Sequence, residues 1–337
     1  MMFVDKIKNI KLISNRIFER LNNNMIIALS LFIIIIFPII FDNSYILHIL
    51  ILLGVYVVLG TSLNVVAGVM GELDLGHAAF FGIGAYISSL FVMNVFDSFW
   101  IGMILAGFIS LIFGLLLGIP SLRIRGDYLA IVTLGFNEII RYVLLNMQSV
   151  TNGPMGIKGI PSPTIFGYVL NTKQQMFYLI WVLVIITVVV MNRMTNSRFG
   201  RSLVAIREDQ IAATSLGINT GKYEIWAFAI TAAFAGIAGS FFAHYMNFIN
   251  PNNFTTNESI LILCMITVGG RGSMIGSFIG VTILFLLPEL LRPIADYRML
   301  IYGIMLVMMM IFKPRGFWPE KRIPSRITKS AESKEAN

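Results

Sequence analysis

Ten stretches of the chain are apolar along most of their length: 25–41, 45–67, 73–94, 99–119, 128–147, 174–191, 225–246, 258–269, 274–291 and 298–312. In hydrocarbon every backbone N–H and C=O must find a partner within the protein, so only helices and closed barrels span a bilayer. A barrel strand reads as about ten residues of alternating polarity. These runs are continuous, and most approach the roughly 20 residues a helix needs to cross. The predicted fold class is therefore all-α: a polytopic integral membrane helical bundle with about ten hydrophobic segments. Composition agrees, with 57% of the 337 residues hydrophobic and 12% charged, about half the charged share of a soluble domain. The run 258–269 is the shortest and leads into GGRGSM. It is a candidate broken or re-entrant helix, which a membrane protein tolerates where the backbone is buried in protein.

Lys6, Lys8, Lys11, Arg16 and Arg20 precede the run 25–41. That resembles a signal peptide, but no small-residue cleavage site follows, so the run is read as an uncleaved first membrane helix. Threading ten crossings with the N-terminus inside places twenty Lys and Arg on the cytoplasmic side. Only Lys158, Lys173, Arg292 and Arg298 fall outside, and Arg141 lies within a segment. This bias fits the positive-inside rule and puts both termini in the cytoplasm. The expected division is a basic tail over 1–24, a transmembrane domain over 25–312 with a charged cytoplasmic loop at 192–224, and a basic tail over 313–337.

Several function classes drop out. The net charge of +8 is distributed around apolar runs rather than gathered in a patch, so no nucleic acid is expected as partner. Cys264 is the single cysteine, which excludes an internal disulfide and any Cys-based metal site. His48, His77 and His244 are far apart in sequence, so no metal is expected. There is no catalytic constellation and no Gly-x-x-x-x-Gly-Lys-Ser/Thr phosphate loop. The chain is not expected to be an enzyme or to bind a cofactor.

The longest charged gap holds SRFGRSLVAIREDQIAATSLGI, residues 197–218. Taken as one surface helix, it carries Phe199, Leu203, Ile206, Gln210, Ala213 and Gly217 on a stripe, with Arg201, Glu208 and Ser215 opposite. Such a helix can enter a groove on a partner protein. It can equally rest on lipid headgroups. The stripe alone does not separate the two.

Within this loop EDQIAATSLGI resembles the cytoplasmic coupling loop of bacterial ABC-importer permeases, where a Glu-Ala-Ala pattern with a later glycine docks into a cleft of the ATPase. The usual Ile-x-Leu-Pro ending is absent, and the chain reads YEIWAFAIT. Four further stretches resemble the branched-chain amino-acid permeases: GTSLNVVAGVMGELDLGHAAFFGIGAY (60–86), LRIRGDYLAIVTLGFNEIIR (122–141), TNGPMGIKGIP (151–161) and IYGIMLVMMMIFKPRGFWP (301–319). The last points to the LivM-type member of the permease pair. The similarity runs from about residue 50 to 319. Glu72 and Asp74 stand where many members have Gln or Ser.

The resemblance implies an assembly in the bacterial cytoplasmic membrane. Its parts would be this chain, a second LivH-like permease, two cytoplasmic ABC ATPase subunits and an extracytoplasmic substrate-binding protein. ATP and Mg would reside on the ATPases. Arg207, Glu208, Ala212, Ala213 and Gly217 would form the ATPase-coupling site. Related permeases serve urea and short amides, which is the nearest alternative. An ion-driven secondary transporter would keep ionisable residues at the bilayer midplane. The runs 45–67, 99–119 and 174–191 contain no Asp, Glu, Lys or Arg, and the charged loop has no task in that reading.

GELDLGHAAFFGIGAY (71–86) and GGRGSMIGSFIGVTILFL (269–286) share spaced glycines followed by a small-residue helix. They suggest two structural repeats with helix breaks at Gly71, Gly76, Gly269, Gly270 and Gly272. Breaks in corresponding repeat positions point to a transport pathway near the bilayer middle. Asn64, Asp74, His77, Asn137 and Glu138 are the candidate pathway residues, because polar groups inside a membrane need protein, water or a substrate to face. Glu138 and Arg141, spaced i,i+3, can also simply pair on one helix face. Glu258 and Glu289 lie near segment ends, where solvation is the default.

Overall fold

The computed structural model describes residues 43–122, 124, 126–165 and 168–290, together with 303, 307, 313 and 316–318. The apolar run 25–41, all but two residues of 298–312, and nearly all of both basic tails lie outside the described residues.

The described chain is helical. Helix α1 spans Ser44–Asn64 and continues as a π-helical turn over Val65–Met70. Then come α2 (His77–Asn94), α3 (Phe99–Ser121), α4 (Asp127–Asn146) and α5 (Lys173–Thr195). Two short helices, α6 (Arg198–Glu208) and α7 (Gln210–Ser215), precede the long α8 (Thr220–Met246). The last pair is α9 (Thr256–Gly269) and α10 (Met274–Leu290).

Among the described residues six helices are long and apolar enough to cross a membrane: α1 with its π turn, α2, α3, α4, α5 and α8. A seventh span is reached if α9 and α10, bent by 120° at their junction, count as one. The expectation of about ten segments is corrected to this extent. Two of the ten runs lie outside the described residues, and two merge into the bent pair. The cause of the bend is local. Gly270 (φ 123°) and Gly272 (φ 82°) hold backbone conformations open to glycine. They turn the chain back before α9 is long enough to span.

The core is a three-helix contact of α2, α3 and α8, made of small residues. A Cβ added to Gly84 of α2 would fall on the Gly236 backbone of α8, and one on Gly239 would fall on the Phe81 carbonyl. On the other side of α8, a Cβ on Gly236 would meet Ser110 of α3. Lipid tails are as apolar as leucine, so helices in a bilayer associate through close van der Waals packing rather than hydrophobic exclusion. The run TAAFAGIAGS (231–240) supplies it. Helix α1 packs on α5, with Gly54 against Ile180, and on α10, with Gly60 against Val281.

One end of the bundle carries a short long-range strand pair and a hairpin. β1 (Ile157–Lys158) pairs antiparallel with β4 (Phe248–Ile249), and β2 (Thr164–Ile165) with β3 (Tyr168–Val169). Fully buried His244 anchors this end. Its Nδ1 donates to the Pro161 carbonyl (2.7 Å), which can only accept, and so must carry the proton. Nε2 is then free to accept from Ser88 (3.0 Å), and Ser240 donates to Ser88 (2.7 Å). His244→Leu removes the donor and leaves a part-buried carbonyl unpaired, at up to about 1–3 kcal/mol. The expected result is faster proteolysis within 157–169 with the membrane core intact. Unchanged cleavage would show that the β1–β4 ladder alone holds the segment.

Candidate functional site

At the end of the bundle opposite the strands lies the charged segment. It is two helices, not one, so the single-helix reading of 197–218 is corrected. Asp209 is extended (φ −160°, ψ 111°), and its carboxylate accepts from Ala212 N (3.0 Å), capping α7. Aspartate offers the backbone this alternative to a continuous helix. Gly217, in the left-handed region (φ 83°), ends α7.

The break splits the expected stripe. Leu203, Ile206 and Ala213 are buried against their own chain. The Phe199 ring packs on Tyr223 at 5.3 Å, and Gln210 donates to Glu224 (3.0 Å). The outward face carries Ile211 (81% exposed) and Leu216 (82% exposed), with Ala212 and Gly217 exposed beside them. Sequence reasoning missed Ile211 and Leu216 because both lie off the continuous stripe. The signal was Asp209, a capping residue three before Ala212, which resets the helix register.

Arg207 points inward. Its Nη1 donates to the Gly68 carbonyl (2.9 Å), in the last turn of α1, and its Nη2 meets Glu208 at 3.3 Å. Carbonyls of a final helical turn lack intrahelical partners, and a cation there also favours the helix dipole. The Arg207 stem fills the space a Cβ at Gly71 would take, with Cγ 2.7 Å from it. Gly71 itself closes α1 in the left-handed region (φ 85°).

A belt of polar groups crosses the bundle at the start of α2 and α9. Asp74 and His77 are both fully buried, with Oδ2 and Nδ1 3.5 Å apart. Asp74 Oδ1 accepts from Gly76 N (2.8 Å), and Thr133 of α4 accepts from Leu75 N (2.9 Å). His77 Nε2 meets Ser62 of α1 (3.0 Å), and Ser259 of α9 accepts from Ala78 N (2.9 Å). Thus Thr133 of α4 and Asp74 itself satisfy the non-helical backbone before α2, and Ser259 of α9 takes an N–H of its first turn, as irregular chain within a membrane requires.

The belt continues along α4. Asn137 donates to Thr256 (3.2 Å), and Thr256 donates to Glu138 Oε1 (2.6 Å). Arg141 Nε donates to Glu138 Oε2 (3.0 Å) and its Nη1 to Asn252 (3.3 Å). Tyr56 of α1 donates to Glu258 (3.0 Å). Glu258 is therefore held by a neighbouring helix, which corrects its default solvated reading. Asp74, His77, Asn137 and Glu138 all gather near the first turns of α9. Asn64 lies apart, at the opposite end of α9, where its Oδ1 accepts from Gly272 N (2.9 Å). Of the candidate break glycines, Gly71, Gly270 and Gly272 sit at positive φ. Gly76 precedes α2 at φ −95°, and Gly269 is pressed against Gly276 and Gly280.

Helix α4 is the least buried of the six spans. Tyr128, Ile131, Ile139 and Tyr142 stand exposed along it, and a Cβ on Gly135 would meet nothing.

The described residues thus form a bundle of membrane-capable helices, with helix breaks lined by polar groups and a capped apolar knob at one end, the frame of an integral membrane protein. The family model described as "Branched-chain amino acid transport system / permease component" matches residues 45–311, and the chain belongs to that family. It is 40% identical over 303 residues to the high-affinity branched-chain amino acid transport system permease protein LivM of Salmonella typhimurium strain LT2, covering 83% of this chain and 71% of that relative. The LivM protein of Escherichia coli K12 is also 40% identical, over 80% of this chain and 68% of its own length. The LsrC autoinducer 2 import permease of Yersinia pseudotuberculosis is more distant, at 26% identity over 83% of this chain and 77% of its own. No solved structure matches.

Proposed function

We propose that this chain is one of two permease subunits of an ABC importer for branched-chain or related amino acids. The observation that carries the reading is the α6–α7 segment. It holds two large apolar side chains, Ile211 and Leu216, in the open, on a rigid capped mount at the end of the bundle where Arg193, Arg198, Arg201, Arg207 and Lys222 collect. That basic bias supports a cytoplasmic placement, and an exposed apolar knob on a polar segment fits a protein cleft.

In this reading one of two cytoplasmic ATPases binds the knob, and the pair supplies ATP and Mg chemistry. A LivH-like permease completes the pathway, and an extracytoplasmic binding protein delivers substrate to the hairpin end. Both termini face the cytoplasm. Helix α4 faces the pathway: its open apolar face suits aliphatic side chains. Its Glu138–Arg141 pair, 30% and 20% exposed, is costly against lipid and is better accommodated by water or a zwitterion.

The test is purification of the tagged chain from native membranes, followed by reconstitution. A companion permease and ATPases should co-purify, and ATP should drive leucine into proteoliposomes with binding protein. Uptake on an ion gradient without ATP would overturn the reading, and uptake of urea in place of leucine would reassign the substrate. Asp74→Asn is expected to slow uptake several-fold without changing subunit content. Asparagine keeps the acceptor for Gly76 N but changes the Oδ2 atom that faces His77 Nδ1 at 3.5 Å, and buried polar pairs are sensitive to loss of a partner. Unaltered uptake would make Asp74 a structural cap of α2.

A further inference from the structure

The exposed knob explains how a motor could grip this chain, but not how the grip reaches the helix breaks. A continuous set of contacts does so. Arg207 of α6 donates to the Gly68 carbonyl. Gly68 lies four residues after Asn64, on the same face of the helix. The Asn64 side chain folds over Gly68, so that a Cβ there would fall on Asn64 Oδ1 and on Gly272 N. Asn64 Oδ1 accepts from Gly272 N at 2.9 Å, in the corner between α9 and α10. The far side of that corner is also held: Phe317 N donates to the Val268 carbonyl (2.9 Å) and Trp318 N to the Gly269 carbonyl (2.8 Å).

Adjacency alone does not make a transmission route. What distinguishes this one is where its contacts fall. Arg207 grips the π-helical turn Val65–Met70, a rare geometry frequent at functional sites. Asn64 is the residue before that turn, and it is fully buried with its Nδ2 unpartnered. A shift of the turn therefore moves a committed hydrogen bond at the corner, with no opposing bond on the amide to resist it. Gly270 and Gly272, at positive φ, give the corner the backbone freedom to follow.

We propose that Arg207 and Asn64 are positioning residues that carry displacement of the α6–α7 segment through the π turn to the α9–α10 corner. The proposal rests on the ABC reading above. It separates two roles within one segment: Ile211 and Leu216 bind the motor, and Arg207 passes its movement inward.

The test uses the complete transporter in proteoliposomes, comparing wild type, R207M, R207K, N64A and the R207M/N64A double variant. Three quantities are read: ATPase content, ATP hydrolysis, and leucine moved per ATP. R207M should keep ATPase content and leave hydrolysis within about twofold, while transport per ATP falls about tenfold, the scale of a typical coupling free energy. R207K, which retains a donor, should recover most of it. N64A should show the same loss, and the double variant should be no worse than either single change, because both cut one linkage. Should N64A fail to assemble, the contrast between R207M and R207K decides. Transport and hydrolysis falling together at a constant ratio would overturn the proposal, as would losses that multiply in the double variant. Loss of the ATPases from R207M would place Arg207 in the docking face instead. A wild-type chain that carries no ATPase would sink the functional reading itself, before any variant is compared.

Discussion

Leu216→Asp should strip the ATPase from the purified complex while the permease remains folded. The side chain is 82% exposed, so the free permease loses little packing when it is cut. Once seated in an apolar cleft, however, a leucine contributes about 1.5–3 kcal/mol by burial. An aspartate there adds an unpaired charge, and removal from water costs several kcal/mol more. A change beyond about 3 kcal/mol is more than a hundredfold in affinity, enough to empty the site during purification. Ile211→Asp should act the same way, and Leu216→Gln more weakly. The readouts are ATPase-to-permease ratio and the melting temperature of the isolated permease. A normal ratio with Leu216→Asp would remove the knob from the interface. These variants are cleaner than changes at Ala213 or Gly217. Ala213 is 2% exposed, so a larger residue there disturbs the chain's own packing. Gly217 sits at φ 83°, where any side chain strains the end of α7.

Much of this was legible in the sequence, and the parts that were not have physical reasons. Long apolar runs name membrane helices because the bilayer permits little else, and six of them stand where the runs lie. The short run 258–269 with GGRG announced a break, since those glycines fit backbone that other residues avoid. The i,i+3 spacing of Glu138 and Arg141 gave their ion pair directly. Tertiary assignments were harder. Periodicity alone could not reveal that Asp209 would cap a new helix rather than continue the old one, and so its stripe mixes exposed Gly217 with Leu203, Ile206 and Ala213, which are buried. Nothing in the spacing of Tyr56 and Glu258, or of Asn64 and Gly272, joins residues some two hundred positions apart. Nor does the tail motif KPRGFW by itself show that two of its N–H groups close the end of α9. That role depends on which carbonyls another helix leaves open.

The largest loss of stability is expected from Gly84→Leu. A side chain there cannot be relieved by changing a rotamer, because what it meets is the Gly236 backbone: carbonyl oxygen, Cα and carbonyl carbon together. Helices α2 and α8 would have to separate. Gly236 is itself pressed on Ser110 of α3, and Gly239 on the Phe81 carbonyl, so movement at one contact opens the others. Overpacking usually costs 1–3 kcal/mol where side chains can adjust. Where only backbone can move, we expect more than about 3 kcal/mol, a large part of an ordinary folding free energy. The measurement is yield and melting temperature in detergent, with a fall of about 10 °C or complete loss of monodisperse protein expected. Gly135→Ala is the matched control. A Cβ there meets nothing within the chain, and alanine favours a helix interior over glycine by up to about 1 kcal/mol, so the isolated permease should be unharmed or slightly stabilised. The pair of variants also interrogates α4. If the second permease packs closely on that face, Gly135→Ala leaves the isolated chain intact and weakens only the assembled transporter. If the face lines open space along the pathway, assembly is unaffected, and any change falls on transport alone.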